Sequence, residues 1–135
     1  MMSTMFINTI TIFCKVHIDF DDVFEPRVLT PAFYTRESKT TDNAGNLAIR
    51  SMGKAIIPFK TSLNYCDPAV YTEMDITERS SFFTLTEGCL VALGDYSQLG
   101  TIKAKDFGKL NDYFVIRSVA TYDLPGMQVR AVNGI

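Results

Sequence analysis

The sequence predicts an all-β protein, a small antiparallel β-barrel or sandwich of about six to seven strands with long loops and at most short helical turns. Three observations favour this class: apolar and polar residues alternate in several segments, turn-forming residues separate those segments, and no amphipathic helical pattern reaches ~10 residues. At 135 residues the chain is predicted to be a single domain spanning 1–135, because smaller pieces would bury too little surface. Residues 1–8 are predicted to be a flexible N-terminal arm.

The first predicted strand shows period-two alternation. Its apolar face consists of Ile10, Ile12, Cys14, Val16 and Ile18. Phe13 is the exception on the otherwise polar opposite face. β-Branched residues support an extended conformation, and the acidic residues that follow, Asp19, Asp21 and Asp22, end the pattern.

The second predicted strand runs from Pro26 to Glu37. Its alternation puts Leu29 and Phe33 on one face and Val28, Ala32 and Tyr34 on the other. Pro31 lies inside this segment and has no backbone N–H for a sheet ladder. The strand is therefore predicted to lie at a sheet edge or to carry a bulge at Pro31.

A loop is predicted over residues 38–46, which are rich in Ser, Thr, Asp, Asn and Gly. The third strand follows, with one apolar side formed by Leu47, Ile49, Ala55, Ile57 and Phe59. Gly53 is predicted to make a bend or bulge within it. Next, Asp67 and Pro68 favour a short helical turn as its N-cap and first helical residue.

The C-terminal half is predicted to contain four further strands, at 82–86, 89–93, 113–121 and 127–132. A turn at Glu87-Gly88 separates the first two, and Asp123-Leu124-Pro125-Gly126 separates the last two. Residues 94–108, with three glycines, are predicted to form a long loop with one helical turn around Asp106.

No pattern of catalytic residues is present, and the chain is not predicted to be an enzyme. His17 is the single histidine, and no nucleophile motif accompanies it. The acidic residues at 19, 21, 22 and 25 lack the glycine and the final glutamate of a calcium loop, so a solvated connection is predicted there. Cys14, Cys66 and Cys89 lack metal-ligand spacing and are expected to be reduced thiols. No metal and no cofactor are expected.

Charge and hydropathy exclude further classes. A net charge of −2 and scattered basic residues argue against a free-standing nucleic-acid binder. No apolar segment approaches the ~18 residues of a membrane span. The N-terminus lacks the basic and cleavage regions of a secretory signal, so synthesis and use in the cytoplasm are expected.

Five ordered fragments resemble small β proteins of the head–tail morphogenesis block of tailed bacteriophages and prophages. The fragments are Ile10-Thr11-Ile12-Phe13, the segment with Asp42 and Gly45, Ala55-Ile56-Ile57-Pro58, residues 83–94, and residues 113–126 with their closing strand at 129–134. Those proteins have "I-T-L-Y", "D-x-G", "V-x-I-P", "T-L-x-x-G-D-x-V-V-x-G" and "F-x-I-x-S-V-x-D-N-x-x-G" at these places. The sequence departs from that pattern at Cys89, where an acidic residue is usual, and at Leu124, where Asn is usual.

The resemblance implies a head–tail connector of the stopper, or head-closure, type in the neck of a virion assembled in the host cytoplasm. Such proteins form a homo-oligomeric ring that contacts portal or adaptor and tail proteins and retains passing double-stranded DNA without sequence-specific binding. No membrane partner is implied. The candidate contact-loop residues are Asp42, Asn43, Gly45, Tyr96 and Gln98.

Two other functions are compatible with the sequence. One is a tail terminator or tail-tube subunit, and a tube subunit would form long polymers by itself. The other is a monomeric β-barrel binding module, which would bind an oligonucleotide or a sugar.

Overall fold

The computed structural model describes residues 6–43 and 46–135. Over these residues, six antiparallel strands close into a barrel in the order β1-β2-β3-β6-β5-β4, which confirms the predicted fold class. The strands are β1 (Asn8–Ile18), β2 (Asp21–Asn43), β3 (Asn46–Pro58), β4 (Leu90–Leu93), β5 (Tyr113–Leu124) and β6 (Met127–Gly134). Two short helices, α1 (Pro68–Glu73) and α2 (Ile76–Arg79), join β3 to β4. Of the predicted N-terminal arm, residues 1–5 lie outside the described residues, Phe6 is buried and Asn8 begins β1.

Strand β1 is buried on both faces. Ile10, Ile12, Cys14 and Val16 point into the barrel core as their alternation predicted, whereas Ile18 is exposed. Phe13 belongs to a second cluster, outside the barrel, with Phe24, Leu90, Ala92, Ile102 and Leu110. The segment after β4 covers this outer face, because Ile102 forms a bridge with Phe24. This second apolar layer explains why an apolar residue, Phe13, lies on the otherwise polar face of β1.

Pro31 lies at a bulge, as predicted. Asn8 pairs with Ala32, but Ile10 pairs with Leu29, so β2 has one extra residue between these pairs. An extra residue reverses which side chains face the core. The predicted faces of β2 were therefore wrong beyond the bulge: Leu29, Ala32 and Tyr34 are all buried in the barrel core.

Gly53 neither bends nor interrupts β3, contrary to the prediction. It pairs in continuous register with Arg36 on β2 and with Gly134 on β6. An added Cβ would lie 2.2 Å from Cδ1 of Phe114. The glycine is needed because the buried Phe114 ring packs directly against the β3 backbone.

Of the predicted helical turns and strands that remain, two turns are confirmed and one strand was wrong. Asp67 is the N-cap of α1 and Pro68 is its first residue, as predicted. The predicted helical turn around Asp106 is a 3₁₀ helix, Ala104–Lys109. Residues 82–86 form no strand, since Phe83 makes only an isolated bridge with Tyr65.

Candidate functional site

A two-stranded arm extends from the barrel and is its most distinctive surface feature. It consists of residues 37–43 of β2 and 46–52 of β3, from the pair Glu37–Met52 to the pair Asn43–Asn46. Strand β1 pairs with β2 only as far as Ala32, and β6 pairs with β3 only from Gly53. Within the described residues, both outer edges of the arm therefore lack a strand partner.

The arm replaces the loop predicted over residues 38–46, and that prediction was wrong. Asp42 pairs with Leu47 and Asn43 pairs with Asn46, so both candidate contact residues lie in paired strands at the end of the arm. Gly45 lies outside the described residues. Residues rich in Ser, Thr, Asp, Asn and Gly favour turns, so composition alone predicted a loop where the two strands pair.

The other two candidate contact residues lie after β4. The ring of Tyr96 packs against the outer apolar cluster, and its hydroxyl accepts a hydrogen bond from the Asn111 N–H at 3.1 Å. Its own N–H donates to Oγ1 of the buried Thr11 at 2.9 Å. Tyr96 therefore fixes this segment to the barrel. Gln98 is exposed on the adjoining 3₁₀ turn, Ser97–Leu99. Its side chain is therefore more accessible than that of Tyr96 for an intermolecular contact.

A second open edge belongs to β5. Strand β4 pairs with residues 113–115 only, whereas β6 pairs with β5 as far as Leu124. Beyond residue 117, β5 thus has no strand partner on its other side among the described residues. Val119, Tyr122 and Leu124 are exposed along this segment. An exposed edge with apolar side chains is suited to strand pairing with another chain.

A buried ionic cluster fixes the helical segment to β2. Glu25 is 3% exposed and accepts hydrogen bonds from Arg79, at 3.1 Å to Oε1 and 3.2 Å to Oε2. The Tyr71 hydroxyl donates to Oε1 at 2.5 Å. Arg27 donates to the Arg79 carbonyl at 2.6 Å and to the Phe82 carbonyl at 2.7 Å. Because α1, α2 and β2 share these bonds, the cluster holds the segment between β3 and β4 against the barrel.

This cluster corrects the prediction for Glu25, which was expected in a solvated acidic connection. Its partners are 46 and 54 positions away in sequence, so no local pattern could have indicated them. Burial alone would raise the pKa of Glu25, but hydrogen bonds from Arg79 and Tyr71 lower it below the ordinary value. Burial, followed by the neighbouring Cys14 and Glu25, raises the pKa of Tyr71. The tyrosine therefore stays protonated and acts as a donor.

The remaining acidic residues near 20 lie on the surface around the β1–β2 turn. Asp22 lies 2.8 Å from Nδ1 of His17, and Asp21 lies 3.0 Å from Nζ of Lys103. The side chain of His17 is 67% exposed, as its place on β1 predicted. Within residues 6–43 and 46–135, no three His, Cys, Asp or Glu side chains are grouped so that they could hold a metal ion.

Thiol reactivity should differ sharply among the cysteines. Burial raises the pKa of Cys14 to about 12 and also raises that of the buried Cys89. Cys66 is only partly buried. At pH 8 we expect Ellman's reagent to modify Cys66 first and the other two only after unfolding in guanidinium. A Cys66→Ser variant should lose the early phase. Rapid modification of Cys14 or Cys89 in the native protein would contradict this burial.

Two surface cavities lie near the end of β3. The larger has a volume of about 470 Å³, and its lining includes Arg27, Lys60, Phe82 and Phe83. The smaller has a volume of about 240 Å³ and lies between the end of β3 and the β5–β6 turn. No helix in the described part of the chain is long and apolar enough to cross a bilayer.

Comparison of the chain with protein-family models, with curated proteins and with solved structures finds no match.

Proposed function

We propose that this chain is a structural virion protein without catalytic activity, a head–tail connector of the stopper type. It forms a ring in the neck between the portal or adaptor and the tail, and it helps to retain packaged DNA. The resemblance of the five sequence fragments suggests this role. The observation that carries it on the structural side is the arm formed by residues 37–43 and 46–52.

The arm supports a role in assembly because of its unpaired edges. Unpaired N–H and C=O groups along a strand favour pairing with another chain, and proteins usually cover or shorten such edges. Here two arm edges and the β5 edge beyond residue 117 are left without strand partners in the described chain. In a ring, each subunit uses two different surface patches to contact its two neighbours. The arm of one subunit, pairing with an open strand edge of the next, provides two such patches.

The charge of the chain suits a channel for moving DNA. A net charge of −2 provides little of the phosphate neutralisation that makes proteins hold duplex DNA. The ring therefore surrounds the duplex without sequence-specific binding. Its partners are further copies of the chain, the portal or adaptor, and tail proteins.

Removing the arm should abolish assembly while leaving the barrel folded. In the test variant, residues 37–52 are replaced by Asn-Gly, which favours the tight turn of a two-residue hairpin, between Arg36 and Gly53. The variant should unfold at a temperature close to that of the parent chain, because the pairings of β1 with β2 and β4, of β3 with β6, and of β5 with β4 and β6 involve no residue of 37–52. In cells producing particles, the parent chain should restore tailed, DNA-filled particles to a strain lacking the gene, and the armless variant should not.

Three results would contradict the proposed function. They are particles that assemble normally without the gene, a purified chain that forms long tubes by itself, and an armless variant that restores particles fully. The genes that flank the coding sequence provide an independent check. Portal and capsid genes upstream and tail genes downstream are expected, whereas metabolic neighbours would exclude a neck role.

The larger cavity favours one alternative, a monomeric binding module. Arg27 and Lys60 supply positive charge, and Phe82 and Phe83 supply aromatic surface for a base or a sugar ring. Arg27, however, already donates hydrogen bonds to Pro26, Phe82 and Arg79. We expect a flat titration with fluorescent single-stranded and duplex oligonucleotides at physiological salt. Saturable binding that is lost in Lys60→Ala would favour the module instead.

A further inference from the structure

The β1–β2 turn presents a fully exposed aromatic residue in an unfavourable backbone conformation. Ile18 pairs with Asp21, so Asp19 and Phe20 form a two-residue turn. Both have positive φ, 51° at Asp19 and 66° at Phe20. Such turns favour Asn-Gly, and a bulky side chain with positive φ is a genuine outlier. Phe20 is 100% exposed, so its ring gains no packing within the chain that would offset this conformation.

The smaller cavity has the size and lining to accept a phenyl ring. Its volume is about 240 Å³, and a cavity of about 150 Å³ is enough for benzene. Pro58, Phe59 and Met127 provide its apolar wall. The guanidinium of Arg130 lies over the Phe59 ring, 4.5 Å from the ring centroid, and supports the ring by a cation–π contact.

Charge complementarity favours an approach of the turn to this cavity. Asp21 and Asp22 already have partners in Lys103, His17 and Lys15. Asp19, in contrast, has no ion-pair or side-chain hydrogen-bond partner among the described residues. Lys60 lies at the rim of the cavity, is exposed, and likewise lacks an ion-pair partner within the described chain. The turn thus presents the negative charge of Asp19 beside Phe20, and the cavity presents the positive charge of Lys60 beside Phe59.

The turn and the cavity are too far apart to meet within one molecule. The cavity is lined by Pro58–Lys60 at the end of β3, and the next residue, Thr61, donates a hydrogen bond to the Pro31 carbonyl of β2 at 2.9 Å. The turn lies at the start of β2, about ten residues of strand away, which corresponds to roughly 30 Å. A projecting group on one surface and a matching cavity on another produce a heterologous contact, which closes into a ring when the rotation between copies allows it.

We propose that Phe20 of one copy of the chain inserts into the cavity beside Phe59 and Met127 of the next copy, with Asp19 facing Lys60. This inference rests on the proposed ring and adds a second contact between neighbouring copies to the one proposed for the arm. Phe20 is then a binding hot spot, because a rigid aromatic side chain buried in an apolar cavity contributes strongly to association.

A photo-crosslinking experiment tests the contact directly. Phe20 is replaced by p-benzoyl-L-phenylalanine in a chain supplied to particle-producing cells that lack the native gene, and purified particles are irradiated. We expect a product of two copies in which the peptide containing position 20 is joined to one containing 58–60 or 126–128. Mixed copies with two different tags identify the product as intermolecular. Cross-links solely to other segments or to other virion proteins would overturn the inference.

Substitutions provide a second, independent readout. Phe20→Gly suits the positive φ and should leave the unfolding temperature unchanged or higher, while weakening subunit association roughly 30-fold or more. Ile76→Ala removes another exposed apolar side chain and is the matched control, with association unchanged. Asp19→Lys should reduce the number of copies per particle, and adding Lys60→Asp should restore it.

The outcomes separate this inference from the proposed function. If the parent chain forms no ring and is missing from particles, the proposed function fails and the contact fails with it. If the parent chain and Phe20→Gly enter particles equally well, the proposed ring still stands, but the proposed Phe20 contact is wrong.

Discussion

Arg79→Met is expected to lower the free energy of unfolding at pH 7 by about 3–5 kcal/mol, the usual cost of breaking a buried ion pair by removing one partner. The substitution leaves the Glu25 carboxylate, which is 3% exposed, without its two guanidinium hydrogen bonds. It also removes the bond from Arg79 to the Met74 carbonyl. Urea denaturation followed by circular dichroism measures the loss.

The loss should depend on pH in a direction that identifies Glu25 as the cause. In the parent chain the pKa of Glu25 lies below its ordinary value, which is about 4.3 in peptides, so its stabilising contribution is present above that pH and is lost as the pH falls through the lowered pKa. Without Arg79, the pKa of Glu25 rises relative to the parent chain. The variant carboxyl therefore takes up its proton at higher pH, and the difference in stability should narrow between pH 7 and pH 4.

Two further variants complete the test. Arg117→Met removes an exposed pair with Glu87, 3.9 Å apart, and should change stability by no more than about 0.5 kcal/mol. Glu25→Gln in the Arg79→Met background removes the buried charge, which there keeps only Arg27 as a cationic neighbour, at 3.8 Å, and should recover part of the loss at pH 7. A difference between Arg79→Met and the parent that is constant from pH 7 to pH 4 would mean that packing, and not the Glu25 charge, causes the effect.

The sequence predicted those parts of the fold that depend on local alternation and local turns. The inward residues of β1 follow from period-two spacing, and α1 follows from Asp67 and Pro68. The prediction failed where a partner distant in sequence decides the structure. The outer layer buries Phe13 and Thr11 through residues after β4, and the ionic cluster buries Glu25. Polarity predicts solvent exposure for Thr11 and Glu25, and strand alternation places Phe13 on the polar face, so local pattern could not predict these burials.

The candidate site was predictable only in part, for a related physical reason. Sequence composition predicted a loop around Asp42 and Asn43, where the backbone forms a paired arm. Beyond the pair Arg36–Gly53 the two strands pair only with each other among the described residues, and residue composition does not indicate this pairing. The sequence does not indicate the exposure of Phe20, because an apolar residue is expected to be buried. Its full exposure and positive φ emerge only from the turn geometry.

Gly53→Ala is expected to destabilise the barrel by about 1–3 kcal/mol or more, in the range of an overpacked core. The new Cβ would lie 2.2 Å from Cδ1 and 2.7 Å from Cβ of Phe114. Phe114 is 1% exposed and packs against Tyr34, with ring centroids 5.7 Å apart, so it has little space into which to move. Thermal and urea unfolding of the variant measure the effect.

A control and a rescue test whether this clash is the cause. Gly108→Ala places its Cβ in open space without a positive φ, and it should leave stability unchanged or raise it by up to about 1 kcal/mol. Phe114→Leu shortens the opposing side chain. Combined with Gly53→Ala, it should cost less than the sum of the two single substitutions, because residues in direct contact couple energetically. If the losses of unfolding free energy were additive, substitution at position 53 would destabilise the barrel for a reason other than the clash with Phe114. Coupling would establish that a glycine interpreted from sequence as a bend instead provides the space in which the barrel packs its central aromatic ring.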